Sequence, residues 1–290
     1  MDIEVELIDC AGSKECFVKS ISKLKFLKHA SFAGLGPDFA WIPTILHSAG
    51  FALHFGSKFT LRPDHIERTW PIHDPDDLRD MSRLTGRVIA DIFAKSRFGA
   101  RYTLCYEHAL ATNGISAAGE APDFYCIDHS GLKAFTVEAK GFSQRTIGPK
   151  QYARYKAQSK SSQLPIHYSV ASVTYNIYSK IKARIEDPEY EARPLDPLFS
   201  RNLISDYFST VNGRLSEFCE VREVSGIRDV SYLAYDATPY LRRAARGGLR
   251  IEFLIPSEAP PALQFLTLEL ENENETAYFD TDGIGLRLIA

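Results

Sequence analysis

The sequence predicts an α/β fold, and three observations support this prediction. An amphipathic pattern between residues 74 and 99 is typical of a helix, a hairpin rich in aromatic and β-branched residues follows, and a second helix and a strand come after it. The predicted order between residues 74 and 175 is therefore helix, three strands, helix, strand. Such mixtures of helices and strands are typical of layered α/β proteins.

The first predicted helix begins at Asp74-Pro75-Asp76-Asp77, where acidic side chains and a proline occupy the first turn. Acids are favourable there because the helix dipole is positive at its start, and proline lacks only an N–H that would be unpaired anyway. Apolar residues recur at helical spacing up to Gly99 and should face the core: Leu78, Met81, Leu84, Val88, Ile92 and Phe93.

Three strands are predicted next, at residues 101–109, 123–128 and 132–140, with a turn at 129–131. A hairpin centred near residue 130 pairs residues whose numbers add up to about 261. This register places Asp123 opposite Glu138, and Lys140 emerges on the same side of the sheet. Opposed carboxylates repel each other, and a divalent cation between them would remove the repulsion. Two hard oxygen ligands with room for water suit Mg²⁺ or Mn²⁺.

These residues also suit phosphodiester hydrolysis. A divalent ion held by Asp123 and Glu138 would polarise a phosphodiester and lower the pKa of its bound water, and the ammonium of Lys140 would stabilise the charge that develops. Glu138-Ala139-Lys140 is the only acidic-x-Lys triplet in the chain, and Pro122-Asp123 is the nearest Pro-Asp pair before it. The competing interpretation is an ordinary surface hairpin whose charges happen to align.

Pro122-Asp123 and Glu138-Ala139-Lys140 resemble the signature of the PD-(D/E)xK nuclease superfamily. The resemblance implies a restriction-endonuclease-like core, with a mixed central sheet flanked by helices, and a Mg²⁺- or Mn²⁺-dependent hydrolase acting on DNA. The motif itself does not distinguish DNA from RNA, or internal from terminal cleavage. The alternative function is a catalytically silent scaffold or interaction subunit with the same fold.

The second helix is predicted from Gly148-Pro149 to about residue 161, and it carries Gln151 and Tyr155 on one face. This Gln-x-x-x-Tyr element is similar to one in RecB-like and Cas4-like exonuclease domains, which implies that Gln151 belongs to the active site. Lys150, Arg154 and Tyr155 are candidate nucleic-acid contacts, although a solvated basic face explains the cations equally well. RecB-like domains also use an upstream His as a metal ligand, and either Glu107 or His108 could take that place, although a capping or surface role is the favoured interpretation of each.

Two extensions, residues 1–73 and 176–290, are predicted to pack on the nuclease core at 74–175. The first should contain an edge strand with Ile3, Val5 and Leu7 on one face, and an aromatic strand at 51–61. The second should contain two helices and three strands, at residues 176–186 and 198–219 and at residues 230–235, 249–255 and 263–270 respectively.

Composition narrows the functional class. Five cysteines without a C-x-x-C pair indicate neither a disulfide framework nor a zinc site, and no nucleotide-binding glycine loop is present. With no membrane-spanning run and no signal peptide, we expect a cytoplasmic protein that does not associate with membranes.

The net charge is −3, but residues 257–290 alone carry −6, so the remaining residues carry +3. An arginine cluster at residues 242–250 precedes this acidic stretch. So weak a positive charge predicts modest affinity for DNA. We therefore expect a protein partner that delivers the substrate and controls the nuclease, and a helicase or other ATPase is the favoured candidate. The layout resembles that of nuclease subunits of bacterial antiphage systems such as Hachiman, in which the nuclease acts beside a helicase.

Overall fold

The chain folds as a mixed α/β protein, and the computed structural model describes residues 1–33, 59–68, 75–186, 195–217, 219–227, 230–238, 250–257, 272–273 and 276–289. The helices are α1 Lys23–Phe32, α2 Pro75–Ser96, α3 Tyr106–Thr112, α4 Pro149–Ser159 and α5 Pro197–Ser216. The strands are β1 Asp2–Ile8, β2 Lys14–Ser20, β3 Phe59–Leu61, β4 Ile66–Arg68, β5 Ala100–Cys105, β6 Phe124–Asp128, β7 Ala134–Gly141, β8 Tyr168–Tyr175, β9 Lys182–Glu186, β10 Val221–Ile227, β11 Val230–Asp236, β12 Arg250–Pro256, β13 Asn272–Glu273, β14 Ala277–Phe279 and β15 Gly285–Ile289.

The central sheet has seven strands in the order β2-β1-β9-β8-β7-β6-β5. Its β1–β9 and β7–β8 pairs are parallel and its other pairs are antiparallel, so the predicted mixed sheet is confirmed. Strands from the predicted N-terminal extension (β1, β2) and C-terminal extension (β9) belong to this same sheet. The predicted boundaries at residues 73 and 175 therefore do not separate independent sheets.

Alternation along β6 explains how both faces of the sheet are covered. Phe124 and Cys126 are fully buried in a core that includes the apolar side of α2. Tyr125 and Ile127 are equally buried, but in the core on the other face. Successive side chains of a strand point to opposite faces, so a strand that is apolar at every position must be covered on both.

The second core joins the central sheet to a six-stranded antiparallel sheet of order β10-β11-β12-β15-β14-β13. Tyr102 of β5 packs edge-on against Phe208 of α5, with 6.0 Å between ring centroids. Phe32 of α1 packs in the same way against Phe253 of β12, at 5.2 Å. The two sheets thus share one continuous hydrophobic core.

The strand predicted at residues 101–109 is wrong beyond Cys105, because helix α3 begins at Tyr106. The alternating apolar residues that suggested a strand end at Cys105. After it, the fully buried residues Tyr106, Ala109 and Leu110 are three and four positions apart, which is the spacing of a helix. The backbone N–H of Tyr106 donates to the carbonyl of Asp123 at 3.1 Å, which anchors the turn between strand and helix beside the predicted site.

The helix predicted at residues 176–186 is also wrong, because the chain turns at Asn176, which has a φ of 57°, and then forms strand β9. Residues four apart lie on the same face of a helix and of a strand. The spacing of Ile177, Ile181 and Ile185 therefore fitted both structures. Ala183 is fully buried between the last two isoleucines, and this two-residue period is that of a strand.

Most of the other predicted helices and strands are present in the structure. The two helices predicted in the core are present with end shifts of a few residues, and so is the strand predicted after the second of them, which is β8. The strands predicted at 230–235 and 249–255 and the helix predicted at 198–219 are also present. Strand β1 is present but is not an edge strand, because it pairs with β2 and β9. The strand predicted at 263–270, most of that at 51–61 and the arginine cluster before residue 250 lie outside the described residues. None of the described helices is long and apolar enough to cross a membrane.

Candidate active site

The β6–β7 hairpin has the predicted register. Phe124 pairs with Val137 and Tyr125 with Thr136, so both pairs add up to 261. The paired residues end at Phe124, so the predicted pair of Asp123 with Glu138 lies just beyond the ladder. The backbone N–H of Asp123 donates to the carbonyl of Val137 at 3.1 Å, one residue out of that register. The Asp123 carboxylate also accepts a hydrogen bond from the backbone N–H of Ala139, with 2.8 Å between Oδ2 and N. The chain fold thus fixes the first carboxylate against the strand that carries the second.

Lys140 brings the two carboxylates together. Its ammonium nitrogen lies 3.3 Å from Asp123 Oδ2 and forms an ion pair with Glu138 Oε1. The Asp123 and Lys140 side chains are 28% and 27% exposed, whereas that of Glu138 is 0% exposed. A partly exposed acid and lysine therefore lie beside a buried acid, where β7 has passed its last pair with β6 but is still paired with β8.

The three charged groups do not balance, because two carboxylates face a single ammonium. Burial, and then the negative charge of Asp123, raise the pKa of Glu138 to about 9 despite the opposing effect of Lys140. Burial alone would lower the pKa of Lys140, but Asp123 and Glu138 together raise it. In the protein without a metal, a proton on Glu138 therefore supplies the missing positive charge.

The Glu138 carboxylate also lacks hydrogen-bond donors. Both of its oxygens are buried, and among the described residues neither accepts a hydrogen bond of normal geometry, although the Lys140 ammonium lies against Oε1. Hydrogen bonds from described residues to the Asp123 carboxylate fall on Oδ2. Buried oxygens without donors are uncommon, and those of Glu138, with the partly exposed Asp123 carboxylate nearby, fit the hard-ligand preference of Mg²⁺ or Mn²⁺.

Two glycines set the distance between this site and helix α2. A Cβ on Gly141 would lie 1.7 Å from the carbonyl oxygen of Ser82, and a Cβ on Gly86 would lie 2.6 Å from the backbone nitrogen of Gly141. Only glycine permits so close a contact between a helix and a strand. The contact occurs directly after Lys140, so α2 is held against the end of the strand that carries the site.

The site opens into a cleft of about 670 Å³ between α2 on one side and the segment after β7 with α4 on the other. Asp123 and Lys140 lie in its lining, as does Tyr155 of α4. Three arginines of α2 also line it: Arg79, Arg83 and Arg87. These arginines were not predicted as site residues, although their four-residue spacing in a predicted helix placed them on one face.

The other predicted site residues lie on or near α4. Gln151 Nε2 donates to the hydroxyl of Tyr155 at 3.0 Å, so Gln151 is linked to the cleft through that tyrosine. The Tyr155 ring lies below the Lys140 ammonium, 5.8 Å from its centroid. Arg154 forms an exposed ion pair with Glu120, and Lys150 is exposed; neither lines the cleft.

The candidate ligands upstream of the hairpin lie on α3. His108 is buried, and its Nε2 lies 2.7 Å from a carboxylate oxygen of Asp206 on α5. Glu107 is exposed in the first turn of the helix. Neither residue lines the cleft. The His108 imidazole already contacts a carboxylate of α5. The structure therefore does not support either His108 or Glu107 as a third metal ligand.

A second charged cluster, which the sequence did not predict, lies buried between α1, α2 and the turn after β14. Asp280 and Asp282 of this turn contact the ammonium groups of Lys28 and Lys95, with Lys95 Nζ at 2.6 Å from Asp280 Oδ2 and 2.8 Å from Asp282 Oδ2. The acidic stretch identified at residues 257–290 is thus partly neutralised inside the protein. The charges of Lys28 and Lys95 outweigh burial and hold the pKa of Asp280 well below its usual value.

His29, Asp91 and Asp280 of this cluster place ligand atoms within 4.8 Å of one another, close enough to hold a metal ion. His29 Nδ1 lies 2.6 Å from Asp91 Oδ2, and its Nε2 lies 3.0 Å from the hydroxyl of Tyr278. A divalent cation here would face the two lysine ammonium groups that already bind Asp280. We therefore interpret the cluster as an ion-pair network that joins the two sheets.

No protein-family model, curated protein or solved structure matches this chain significantly. The chemistry of the cleft must therefore be argued from its own residues.

Proposed function

We propose that this protein is a metal-dependent nuclease that hydrolyses DNA phosphodiester bonds. The observation that carries the proposal is the fully buried carboxylate of Glu138, which lies against the Lys140 ammonium beside Asp123. Asp123 and Lys140 in turn line a cleft together with three arginines. A buried acid with a pKa near 9 is destabilising when ionised, and a second acid beside it adds to that cost. Such arrangements are concentrated at functional sites.

The order of elements around the site supports the resemblance to the restriction-endonuclease-like core. Helix α2 is followed by β5, the β6–β7 hairpin, α4 and β8, and β8 lies parallel to β7. The insertion of α3 between β5 and β6 is an addition to the predicted order. We propose that this part of the sheet is a PD-(D/E)xK nuclease core and that the strands around it are its extensions.

Asp123 and Glu138 would hold Mg²⁺ or Mn²⁺, which when bound would polarise the phosphodiester and acidify a water molecule. The protein's own groups then have distinct roles. The Lys140 ammonium lies 3.3 Å from Asp123, one of the proposed metal ligands. It would therefore lie near a phosphate bound at the metal and stabilise the charge on its oxygens. Gln151 would position Tyr155, with which it is hydrogen bonded.

Cleavage of supercoiled plasmid by the purified chain tests this proposal. We expect nicking that requires Mg²⁺ or Mn²⁺ and falls by about 100-fold or more in Asp123→Asn, Glu138→Gln and Lys140→Met. Glu120→Gln is the matched control, because this acid is exposed and pairs with Arg154 outside the cleft. Undiminished nicking by the three site variants would reveal a contaminant or a different site.

Binding of Mn²⁺ separates the proposal from the alternative of a silent scaffold. A cation that binds only the folded state stabilises it by RT ln(1 + c/Kd), where c is the concentration of the cation, so the melting temperature rises with that concentration. We expect Mn²⁺ to stabilise the wild-type protein but not Asp123→Asn or Glu138→Gln. Stabilisation by Mn²⁺ without cleavage of any nucleic acid would favour a scaffold, and the absence of both effects would remove the metal site.

Control by a partner is the second part of the proposal. The chain carries a net charge of −3, which does not favour strong binding to DNA without help. The six-stranded sheet contributes no strand to the sheet that carries the proposed site, so it is available for another role such as binding a partner. An unregulated DNA nuclease would damage its own cell. We propose that a helicase or other ATPase controls the enzyme, as in the antiphage systems whose layout the sequence resembles.

A further inference from the structure

The arginine row of α2, defined as Arg79, Arg83 and Arg87, gives the cleft one strongly cationic wall. Residues four apart lie on the same side of a helix, and all three side chains line the cleft. Asp76 and Asp80 pair with Arg79 and Arg83 but are not part of the lining. These pairs are exposed and hence weak, so a phosphate can replace the carboxylates as partner.

The charge of the cleft differs in sign from that of the whole chain. Its lining contains four cations, the arginine row and Lys140, and one acid, Asp123, which gives a formal charge of +3. The chain as a whole carries −3. A concave surface focuses the field of the charges that line it, so a polyanion is drawn to this cleft even though the protein is acidic.

The opposite wall of the cleft carries an aromatic pair. Phe142 and Tyr155 lie 5.8 Å apart between ring centroids with 26° between their planes, and both line the cleft. Both rings are partly exposed while packing on the small core beneath α4. In a duplex, neighbouring base pairs cover the faces of each base. Only an unpaired base can place its face against an aromatic side chain.

We propose that this cleft binds a single unpaired nucleic-acid strand, with its phosphates along the arginine row and a base against the Phe142–Tyr155 pair. This inference rests on the proposed nuclease function and specifies its substrate as single-stranded. A cavity of about 670 Å³ has the volume of a site that encloses a small ligand, and so suits a short stretch of one strand. The strand would pass over Asp123 and Lys140 between the two walls.

Fluorescence anisotropy with labelled oligonucleotides tests the inference on the full chain in EDTA, which prevents cleavage. The probes are single-stranded DNA, single-stranded RNA and a duplex DNA of the same sequence. We expect both single strands to bind more tightly than the duplex. The ratio of the dissociation constants for single-stranded DNA and RNA shows which sugar is preferred. Tighter or equal binding of the duplex would overturn the inference.

The double variant Arg79→Gln/Arg83→Gln tests the arginine row. The side chains of Arg79 and Arg83 are 60% and 69% exposed, so their replacement should not unfold the protein. Each lost phosphate contact lowers the slope of log affinity against log salt by about 0.7 for a single strand, and we expect a reduction of about 1.4. Arg97→Gln is the control, because Arg97 is 53% exposed, pairs with Glu15 and lies outside the cleft lining. An unchanged slope in the double variant would refute the role of the row.

The aromatic wall is tested with two variants of one residue. Tyr155→Leu should weaken single-strand binding by about five- to 150-fold, the range expected for loss of one stacked base. Tyr155→Phe keeps the ring and removes only the hydroxyl that accepts from Gln151, so it should retain most of the affinity. Equal losses in both variants would assign the effect to the hydroxyl and contradict stacking.

Cleavage assays on the wild-type protein separate this inference from the proposed function. Metal-dependent cleavage of duplex DNA in preference to single strands would leave the nuclease proposal intact and refute the inference. Selective single-strand binding that depends on the arginine row, without cleavage under any divalent cation, would support the inference and refute the nuclease. The absence of binding to all three probes would refute the inference.

Discussion

Gly141 of β7 lies in backbone contact with Ser82 of α2, and any side chain on Gly141 would meet the Ser82 carbonyl oxygen at 1.7 Å. Lys140 precedes this contact directly, and Arg79 and Arg83 flank Ser82 on the helix. The distance between the proposed catalytic lysine and the arginine row therefore depends on a residue that has no side chain.

The first prediction follows from this contact. Gly141→Ala should force α2 away from β7, destabilise the protein by about 1–3 kcal/mol and abolish cleavage. Denaturation in urea and the plasmid assay measure the two effects. Gly213→Ala in α5 is the matched control. Its Cβ would meet nothing within 4 Å, so it should stabilise the helix by about 0.5–1 kcal/mol. A fully stable and active Gly141→Ala protein would show that the contact can relax.

The second prediction concerns the pH dependence of stability without metal. The folded protein keeps a proton on Glu138 up to about pH 9, whereas the unfolded chain releases it near 4.5. The associated stability is therefore fully present below pH 4.5 and is lost as the pH rises toward 9. Glu138→Gln mimics the protonated acid at every pH, so its stability should exceed that of the wild type increasingly as the pH rises.

Urea denaturation in EDTA at several pH values measures this difference. The exposed acid of Glu120 supplies the control, since Glu120→Gln should leave the pH dependence of the wild type unchanged. Parallel curves for the wild type and Glu138→Gln would mean that Glu138 is ionised in the folded protein. If Glu138→Gln makes the protein more stable but inactive, Glu138 is a residue that destabilises the fold and is needed for function.

The third prediction concerns the buried ion network. Lys95→Met would leave Asp280 and Asp282 with only one of their two ammonium partners, and should destabilise the protein by about 3–5 kcal/mol. Lys14→Met removes a lysine that is 53% exposed and paired with Glu6, and should leave the free energy of unfolding almost unchanged. Similar losses in the two variants would show that the buried carboxylates find other partners.

Acid should weaken the same network. The charges of Lys95 and His29 outweigh burial and hold the pKa of Asp91 at about 2, below its usual 3.8. Its contribution to stability is therefore present above pH 3.8 and is lost as the pH falls through 2.

The fourth prediction is a stable complex in the native host. Affinity purification of the tagged chain should recover a helicase or other ATPase, with an interface of about 800 Å² or more on each protein if the complex is stable. Variants of Asp123 and Lys140 should recover the same partner, because these residues lie in the cleft. A chain that elutes alone and degrades DNA unaided at physiological salt would contradict the prediction.

The site hairpin could be predicted because its information is local. A turn at Gly131, which has a φ of 71°, and two flanking strands suffice to give the register of the hairpin, and Asp123 directly precedes its last pair. The i, i+4 relation of Gln151 and Tyr155 is equally local, and their hydrogen bond follows from helical geometry. The catalytic roles proposed for these residues stay predictions until activity is measured.

Features that depend on distant contacts could not be predicted in this way. Lys28 and Asp280 are separated by 252 positions, and no periodicity relates them. Strand β9 was mistaken for a helix because a four-residue spacing is common to both structures. Its pairing with β1, which decides between them, involves residues from the other end of the sequence.

The ion network also has a consequence for the order in which the protein is assembled during synthesis. Helix α2 leaves the ribosome with Lys95 already in place, but its partner Asp280 follows 185 residues later. Until then, two lysines that are buried in the folded protein have no carboxylates of that turn to neutralise them. Because α2 also carries the arginine row, this wall of the proposed substrate cleft would gain the support of the network only after Asp280 and Asp282 have been synthesised.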